Sequence, residues 1–276
     1  MDRLSITDRQ WGLMEPLCLG KVGDPGRSGA NNRLFLEAVL WIARTGSPWR
    51  DLPSDFGHWN TVFKRYRDWV KADVFKRIFD VVSGDPDMEY ACVDATIVKV
   101  HRPPLGDCRQ SSAGQRDRAQ KGDTKSGHRQ IQGRNDDENP SPDPLSAEYC
   151  AFACRAPDAL GNLVRFELLP GNRFDTIGVA PLIKGVKFGA LLADKAFDSN
   201  WIIETLNERG AKIVISQHPR RTNPLEIDTE MYKWRHLIEN FFCKIREFKR
   251  IAMRACKTDT SFTAMIHLTA AIINSR

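Results

Sequence analysis

The hydrophobic pattern of this chain changes near residue 86, and that change limits the fold more than any other feature. Before it, segments with helical periodicity alternate with Gly and Pro, which predicts helices at residues 7–17, 32–44, 58–70 and 72–82. After it, apolar residues occupy every second position from Ala91 to Ile97, the pattern of a strand with one buried face. The sequence therefore predicts a small helical domain at residues 1–85, followed by a domain with a sheet at residues 86–276.

The second domain is predicted to contain a mixed sheet. Residues 163–169 form one further predicted strand, and the wholly apolar residues 189–193 have the composition of a central strand that ends directly at Asp194. A helix at residues 199–209 leads from that strand to another at residues 212–216, and this order implies a parallel pair. The fold class is therefore α+β, with two more helices after the sheet, at residues 229–251 and 260–273.

The composition excludes several classes of protein. With 276 residues, of which 41% are hydrophobic and 28% charged, the chain can bury a full core. No apolar run approaches the roughly 20 residues that span a bilayer, and charged residues interrupt the N-terminal segment, so we expect a cytoplasmic protein with no membrane partner. The seven cysteines lack the spacing of zinc knuckles and ribbons, which favours reduced thiols.

The positive charge is concentrated in two regions. Residues 99–134 contain nine Lys or Arg against three acids, and residues 217–257 contain ten against five, within a formal net charge of +6. Clustered cations favour a polyanionic partner, because neutralising phosphates releases their counterions. A solvated basic face would have the same composition, so charge alone leaves both interpretations open.

A further group of cations lies on the predicted helix at residues 58–70. Lys64, Arg65 and Arg67 stand beside an apolar side that includes Trp69, an arrangement that suits a helix lying against DNA. A helix that packs on its neighbours and leaves its charges in water would show the same pattern. The sequence therefore names these three cations as candidate DNA contacts.

The predicted helix at residues 229–251 carries the most informative polar stripe. At about 100° per residue, Tyr232, Arg235, Glu239 and Arg246 fall within about 60° of one another, apart from the apolar face. A carboxylate can ligate a hard cation while guanidinium groups bind phosphate oxygens, so the stripe suits a metal and phosphates together. The alternative is a surface ladder of ion pairs, since Arg235 and Glu239 are four residues apart.

These four positions have the spacing of the Tyr-Arg-Glu-Lys signature of insertion-sequence DDE transposases, with Arg in place of the final Lys. The residues around Asp94 (93–98) and Asp194 (192–198) resemble the family's first and second Asp motifs. Residues 35–42 and 48–53 are similar to its N-terminal domain. The motifs follow the family's order and span nearly the whole chain.

This resemblance implies a helix-turn-helix-like N-terminal domain and an RNase H-like catalytic domain. Asp94, Asp194 and Glu239 would be the catalytic acids and would hold two Mg²⁺ or Mn²⁺ ions for strand cleavage and strand transfer. The implied partners are the terminal repeats of the element and target DNA, bound by a homodimer. Besides Lys64, Arg65 and Arg67, the implied DNA contacts are Tyr232, Arg235, Arg246, Lys195 and Lys244, with Asp198 and Lys249 also near the scissile strand and Asn172, Arg173 and Asp175 as a further motif.

The sequence departs from the family between residues 121 and 157. The family has a glycine-rich turn and a Thr-Thr-Lys strand there, whereas this chain has the composition of a loop. With suitable codons, residues 125–143 give the expected turn and strand when read one nucleotide later, so we hypothesise compensating frameshifts. We therefore predict an irregular, disordered insertion near residues 105–148. With such an insertion the sheet loses a strand unless residues 149–155 take its place.

Two other functions are compatible with the same residues. An RNase H-like nuclease or junction resolvase would use the metal pair without strand transfer, and a transposase-derived DNA-binding protein would have lost catalysis. A glycosidase with paired carboxylates is disfavoured by the basic charge and by the scarcity of aromatic residues in the predicted loops. Joining of a 3′-hydroxyl end to target DNA would distinguish a transposase from these alternatives.

Overall fold

The computed structural model describes residues 5–21, 24, 29, 31–84, 87–98, 148–155, 161–170 and 174–275. Its first part consists of α1 (Asp8–Met14), α2 (Asn32–Thr45), α3 (Trp59–Lys71) and α4 (Val74–Ser83), close to the predicted helices. Local signals set their ends: Thr7 and Gln10 cap α1 reciprocally, and α2 ends at Gly46, whose φ of 72° suits a residue without Cβ.

A five-stranded mixed sheet follows. Its strands are β1 (Asp87–Val98), β2 (Glu148–Arg155), β3 (Asn162–Pro170), β4 (Lys187–Ala193) and β5 (Lys212–Ile215), in the order β3-β2-β1-β4-β5. The pairs β1–β2 and β2–β3 are antiparallel, whereas β1–β4 and β4–β5 are parallel. The mixture of helices with a partly parallel sheet confirms the α+β class, and β2, which includes residues 149–155, forms a strand beside β1. The predicted insertion near residues 105–148 lies almost wholly outside the described residues.

The prediction of one continuous helix over residues 229–251 is wrong. The segment forms α7 (Thr229–Lys233), α8 (His236–Arg246) and α9 (Lys249–Ala252). The second break occurs at Phe248, whose backbone is extended and whose ring is buried beneath the Arg44 guanidinium, 5.4 Å from the ring centroid. Burial of this ring against α2 outweighs the local helical preference.

The core has two parts, one on each face of the sheet. Successive residues of β4 face opposite ways. Leu192 packs towards α8, the last helix and the N-terminal helices, whereas Leu191 packs towards α5 (Val179–Ile183) and α6 (Asn200–Glu208). This confirms that β4 is covered on both faces. The larger core also includes side chains of α2 and α4, so the N-terminal helices share it with the sheet. In the described part of the chain, no helix is both long and apolar enough to cross a membrane.

The last helix, α10 (Asp259–Asn274), packs against α4 and β3 and carries a half-buried imidazole. The His267 ring lies between the rings of Phe79 and Phe166, with centroid separations of 5.2 and 4.9 Å. Burial lowers the pKa of His267 from its usual 6.5 to about 4, more than nearby Asp80 offsets. The folded state therefore resists protonation of this residue.

We expect this imidazole to make the protein acid-sensitive. Because the unfolded chain binds the proton near pH 6.5 and the folded chain only near pH 4, stability is complete above 6.5 and falls as the pH decreases towards 4. The loss is at most about 3 kcal/mol. Urea denaturation between pH 7.5 and 4 should show a shallower dependence for His267→Phe than for the wild type. The exposed His58→Gln variant is the control, and equal slopes for all three proteins would contradict this prediction.

Candidate active site

Two of the predicted acids lie at corresponding positions on adjacent strands. In the parallel register of β1 and β4, Cys92 pairs with Leu192, and Asp94 and Asp194 each follow that pair by two residues. Asp94 lies within β1, whereas Asp194 comes directly after β4 and accepts a hydrogen bond from the Ala196 N–H (2.9 Å). The fold thus brings two carboxylates, 100 residues apart in sequence, to the same edge of the sheet.

Arg235 connects the third acid to the first. Its Nη1 donates to Asp94 Oδ2 at 3.3 Å, and its Nη2 donates to Glu239 Oε1. The Asp94 side chain is 16% exposed and also accepts the Ala95 N–H (2.8 Å), whereas Glu239 is 50% exposed. A half-buried carboxylate and an exposed carboxylate therefore share one guanidinium group, and the Arg235–Glu239 ion pair of the polar stripe is present.

The far end of α8 contacts the same strand. Arg246 donates from Nη2 to the hydroxyl of Thr96, which is buried two residues beyond Asp94 on β1. Between the two arginines, the apolar face of α8 is buried and packs against β1, β3 and α10. The helix is therefore held along β1 by polar contacts at both ends and by apolar packing between them.

The electrostatic environment of the cluster is strongly acidic. Burial raises the pKa of Asp94, and the charges of Asp194 and Glu239 add to the rise, although the Ala95 N–H and Arg235 partly oppose it. Burial also raises the pKa of Asp175, with Asp194 contributing. For Arg235, burial lowers the pKa, but the attraction of Glu239 and Asp94 together more than reverses that effect. Among the described residues, Asp194 therefore interacts with both Asp94 and Asp175, Asp94 also interacts with Glu239, and Arg235 is their positive neighbour.

As they stand, these side chains do not form a closed metal site. Across the described ranges, no three His, Cys, Asp or Glu side chains are grouped so that they could hold an ion. The donor type nevertheless fits a hard divalent cation, since all the candidate ligands are carboxylate oxygens and their mutual repulsion favours a cation. Arg235 now supplies that positive charge to Asp94 and Glu239.

Comparison with known proteins identifies the family. A family model described as "Putative transposase of IS4/5 family" matches residues 6–79. A protein of Brucella ovis named "Putative transposase for insertion sequence element IS6501" is 36% identical over 118 residues, 42% of this chain and 91% of that protein. The chain belongs to the insertion-sequence transposases. This confirms the family that the sequence motifs indicated.

Two other relatives of this transposase carry less specific names. "Uncharacterized protein y4sN" of Sinorhizobium fredii is 37% identical over 121 residues, 43% of this chain and 94% of the relative. "Insertion element IS402 uncharacterized 16.2 kDa protein" of Burkholderia cepacia is 32% identical over 106 residues, 34% of this chain and 72% of the relative. No solved structure matches the chain. The family model ends before β1, so its match does not include the acidic cluster.

The cations of α3 in this transposase occupy different environments. Lys64 and Arg67 are exposed, whereas Arg65 is half-buried. The Arg65 guanidinium lies 4.4 Å from the Phe35 ring centroid and 5.2 Å from that of Trp69, and it donates to Asn32. Arg65 therefore joins α3 to α2, while the other two are open to a partner.

The remaining predicted residues differ in exposure. Lys195 follows Asp194 and is exposed, Lys244 is half-buried on α8, and Lys249 is exposed on α9. Tyr232 is half-buried on α7 and packs against the larger core. Asn172 and Arg173 lie outside the described residues.

Sequence reasoning missed the ion pair that anchors the basic loop after β5. The Asp198 side chain is only 3% exposed, receives the His218 N–H at 2.8 Å and pairs with Arg221, which also donates to Asn200 at 2.8 Å. Asp198 thus holds the basic loop in place, close in sequence to Asp194 of the candidate site. An Asp within the second Asp motif and an Arg in the basic loop were both visible in the sequence, but no local spacing relates them.

Proposed function

We propose that this chain is a DDE transposase that cleaves and joins DNA strands with Asp94, Asp194 and Glu239 as its catalytic acids. The observation that carries the proposal is the register of β1 and β4, which sets Asp94 and Asp194 at the same edge of the sheet. Glu239 reaches this edge from α8 and shares Arg235 with Asp94. A two-metal site requires three such acids to converge, and the shared edge of β1 and β4 with Glu239 on the neighbouring helix supports that arrangement.

The proposed ions are Mg²⁺ or Mn²⁺, which prefer oxygen ligands. When bound, such a pair would activate a water or a 3′-hydroxyl and stabilise the leaving oxygen. Asp94, Asp194 and Glu239 would hold the pair, and Asp175 adds negative charge beside Asp194. Arg235, released from Asp94 and Glu239, would be free to contact a strand phosphate, together with Arg246.

An RNase H-like architecture is part of the proposal. It is supported by the strand order β3-β2-β1-β4-β5, with three antiparallel strands followed by two parallel ones. It is also supported by the position of α8 along β1, where the helix carries Glu239. We further propose that the N-terminal helices bind the terminal repeats and that a homodimer on DNA acts on both ends of the element.

The test is cleavage of DNA that carries the ends of the element encoding this chain. We expect nicking in Mg²⁺ or Mn²⁺, no nicking in EDTA, and joining of the released 3′-hydroxyl to a target duplex. Hydrolysis without joining would instead identify a nuclease or resolvase, and specific binding without cleavage would identify a catalytically inactive DNA-binding protein. Cleavage that persists in EDTA would count against the proposed mechanism.

A further inference from the structure

A cavity of about 440 Å³ opens between α3 and the segment that joins α9 to α10. Its volume falls in the usual range of ligand sites, roughly 300–1,000 Å³. None of its lining residues belongs to the acidic cluster of β1, β4 and α8. It is therefore a separate candidate site, built from the helices.

The lining of this cavity is cationic. Arg67 and Lys71 come from α3, Arg250 from α9, and Lys257 from the segment before α10. Among the residues that the structure describes, no Asp or Glu lines it. Four positive side chains in one wall favour an anion.

Arg250 gives the cavity a buried positive charge. The residue is only 8% exposed, its Nη1 donates to the Ser47 carbonyl at 2.9 Å, and its guanidinium lies 5.5 Å from the Trp49 ring centroid. Its buried Nε has no hydrogen-bond partner in the described part of the chain. Arg250 also hydrogen-bonds the Cys256 side chain, so it contributes a fixed positive charge to the wall, while the exposed Arg67, Lys71 and Lys257 are the cations that an anion can reach.

Aromatic rings form the rest of the wall. The Trp49 ring centroid lies 5.2 Å from that of Phe63 and 5.1 Å from that of Tyr66, whose hydroxyl donates to the Ser261 carbonyl at 2.7 Å. Trp49 and Phe63 are half-buried, so part of each ring is open. Aromatic rings beside cations are the combination that binds unpaired nucleotides, because the rings stack on bases while the cations neutralise the backbone.

We propose that this cavity binds a nucleotide of single-stranded DNA. Its phosphate would contact Arg67, Lys71 and Lys257, and its base would lie against Trp49 and Phe63. The inference rests on the proposed function only in taking DNA as the partner, and it requires neither metal ions nor the acidic cluster. An acidic peptide would engage the cations but would make no use of the rings.

Binding of a labelled single-stranded oligonucleotide tests the site. The full chain is titrated in EDTA with a short oligonucleotide unrelated to the element ends, and fluorescence anisotropy is recorded at several salt concentrations. We expect Lys71→Ala/Lys257→Ala to weaken binding about tenfold and to reduce the salt slope by about 0.7 for each phosphate that the variant no longer neutralises. The control is Lys184→Ala/Lys233→Ala, which removes the same charge from exposed positions outside the cavity and should bind like the wild type.

The aromatic half of the site has its own readouts. Trp49→Leu should weaken binding at least about fivefold, with circular dichroism confirming that the variant is folded. An oligonucleotide containing 5-iodouracil should crosslink to Trp49, Phe63 or Tyr66. Equal affinities for the cavity and control double variants, with crosslinks elsewhere, would overturn the proposal. The proposal would also fail if a polyglutamate peptide displaced the oligonucleotide and Trp49→Leu bound the oligonucleotide as tightly as the wild type.

The same measurements on Asp94→Asn separate this inference from the proposed function. If binding is intact but no cleavage is found with any protein, the catalytic proposal fails and the nucleotide site stands. If cleavage is normal but the cavity variants bind like the wild type, the nucleotide site fails alone.

Discussion

Asp94→Asn is expected to lower the rate of metal-dependent strand cleavage by at least about 10³-fold while leaving DNA affinity within about twofold. The Asp94 side chain is more buried than that of Glu239 and lies between Arg235 and the charge of Asp194. Asparagine keeps the shape of the side chain but removes the charge that would hold a cation. Single-turnover cleavage of element-end DNA in Mg²⁺ measures the loss.

The loss should not come from unfolding. Because the pKa of Asp94 is raised, mainly by burial, the wild type loses stability as the pH rises from the ordinary Asp pKa through the raised one. Asparagine avoids that loss, so the variant should be at least as stable as the wild type at pH 7 and should differ least at low pH. Thermal denaturation at both pH values checks this.

The matched control is Asp55→Asn, an exposed position outside the acidic cluster. We expect it to cleave at the wild-type rate. Wild-type cleavage by Asp94→Asn would place the chemistry elsewhere in the chain, whatever the stability data show.

Phe241→Ala is expected to reduce the free energy of unfolding by about 3–5 kcal/mol. The Phe241 ring is fully buried on α8, in the larger core that also contains Cys92 of β1 and Leu192 of β4. Removing it deletes apolar surface and leaves a cavity beneath the helix that carries Glu239. Urea denaturation followed by circular dichroism gives the change, and Phe241→Leu should be clearly less destabilised.

The exposed Phe174 provides a control with the same change in side chain. It is 81% exposed, so Phe174→Ala should alter the free energy of unfolding by no more than about 0.5 kcal/mol. Similar losses for the two alanine variants would mean that α8 does not pack on the sheet as described.

The sequence identified the important arginines but did not predict their contacts in the folded chain. The motifs identified Arg235 and Arg246, but as members of one helical stripe. In the folded chain Arg235 precedes α8 and bridges two acids, while Arg246 binds Thr96 of β1. Arg65 was grouped with Lys64 and Arg67, yet it packs between aromatic rings of two helices. Each difference depends on a partner that lies far away in sequence.

The sequence by itself determined the elements whose signals are local. The two-residue period of β1, the apolar run of β4 that ends at Asp194, and the Gly46 stop of α2 all depend on near neighbours, so they were predictable. Only the tertiary structure decided three other features. These are the helix break at Phe248, the ion pairs of Arg235 with two acids, and the cavity between α3 and the segment before α10. These features arise because burying a ring or pairing a charge depends on what the fold brings alongside, and that energy exceeds the local preference of the backbone.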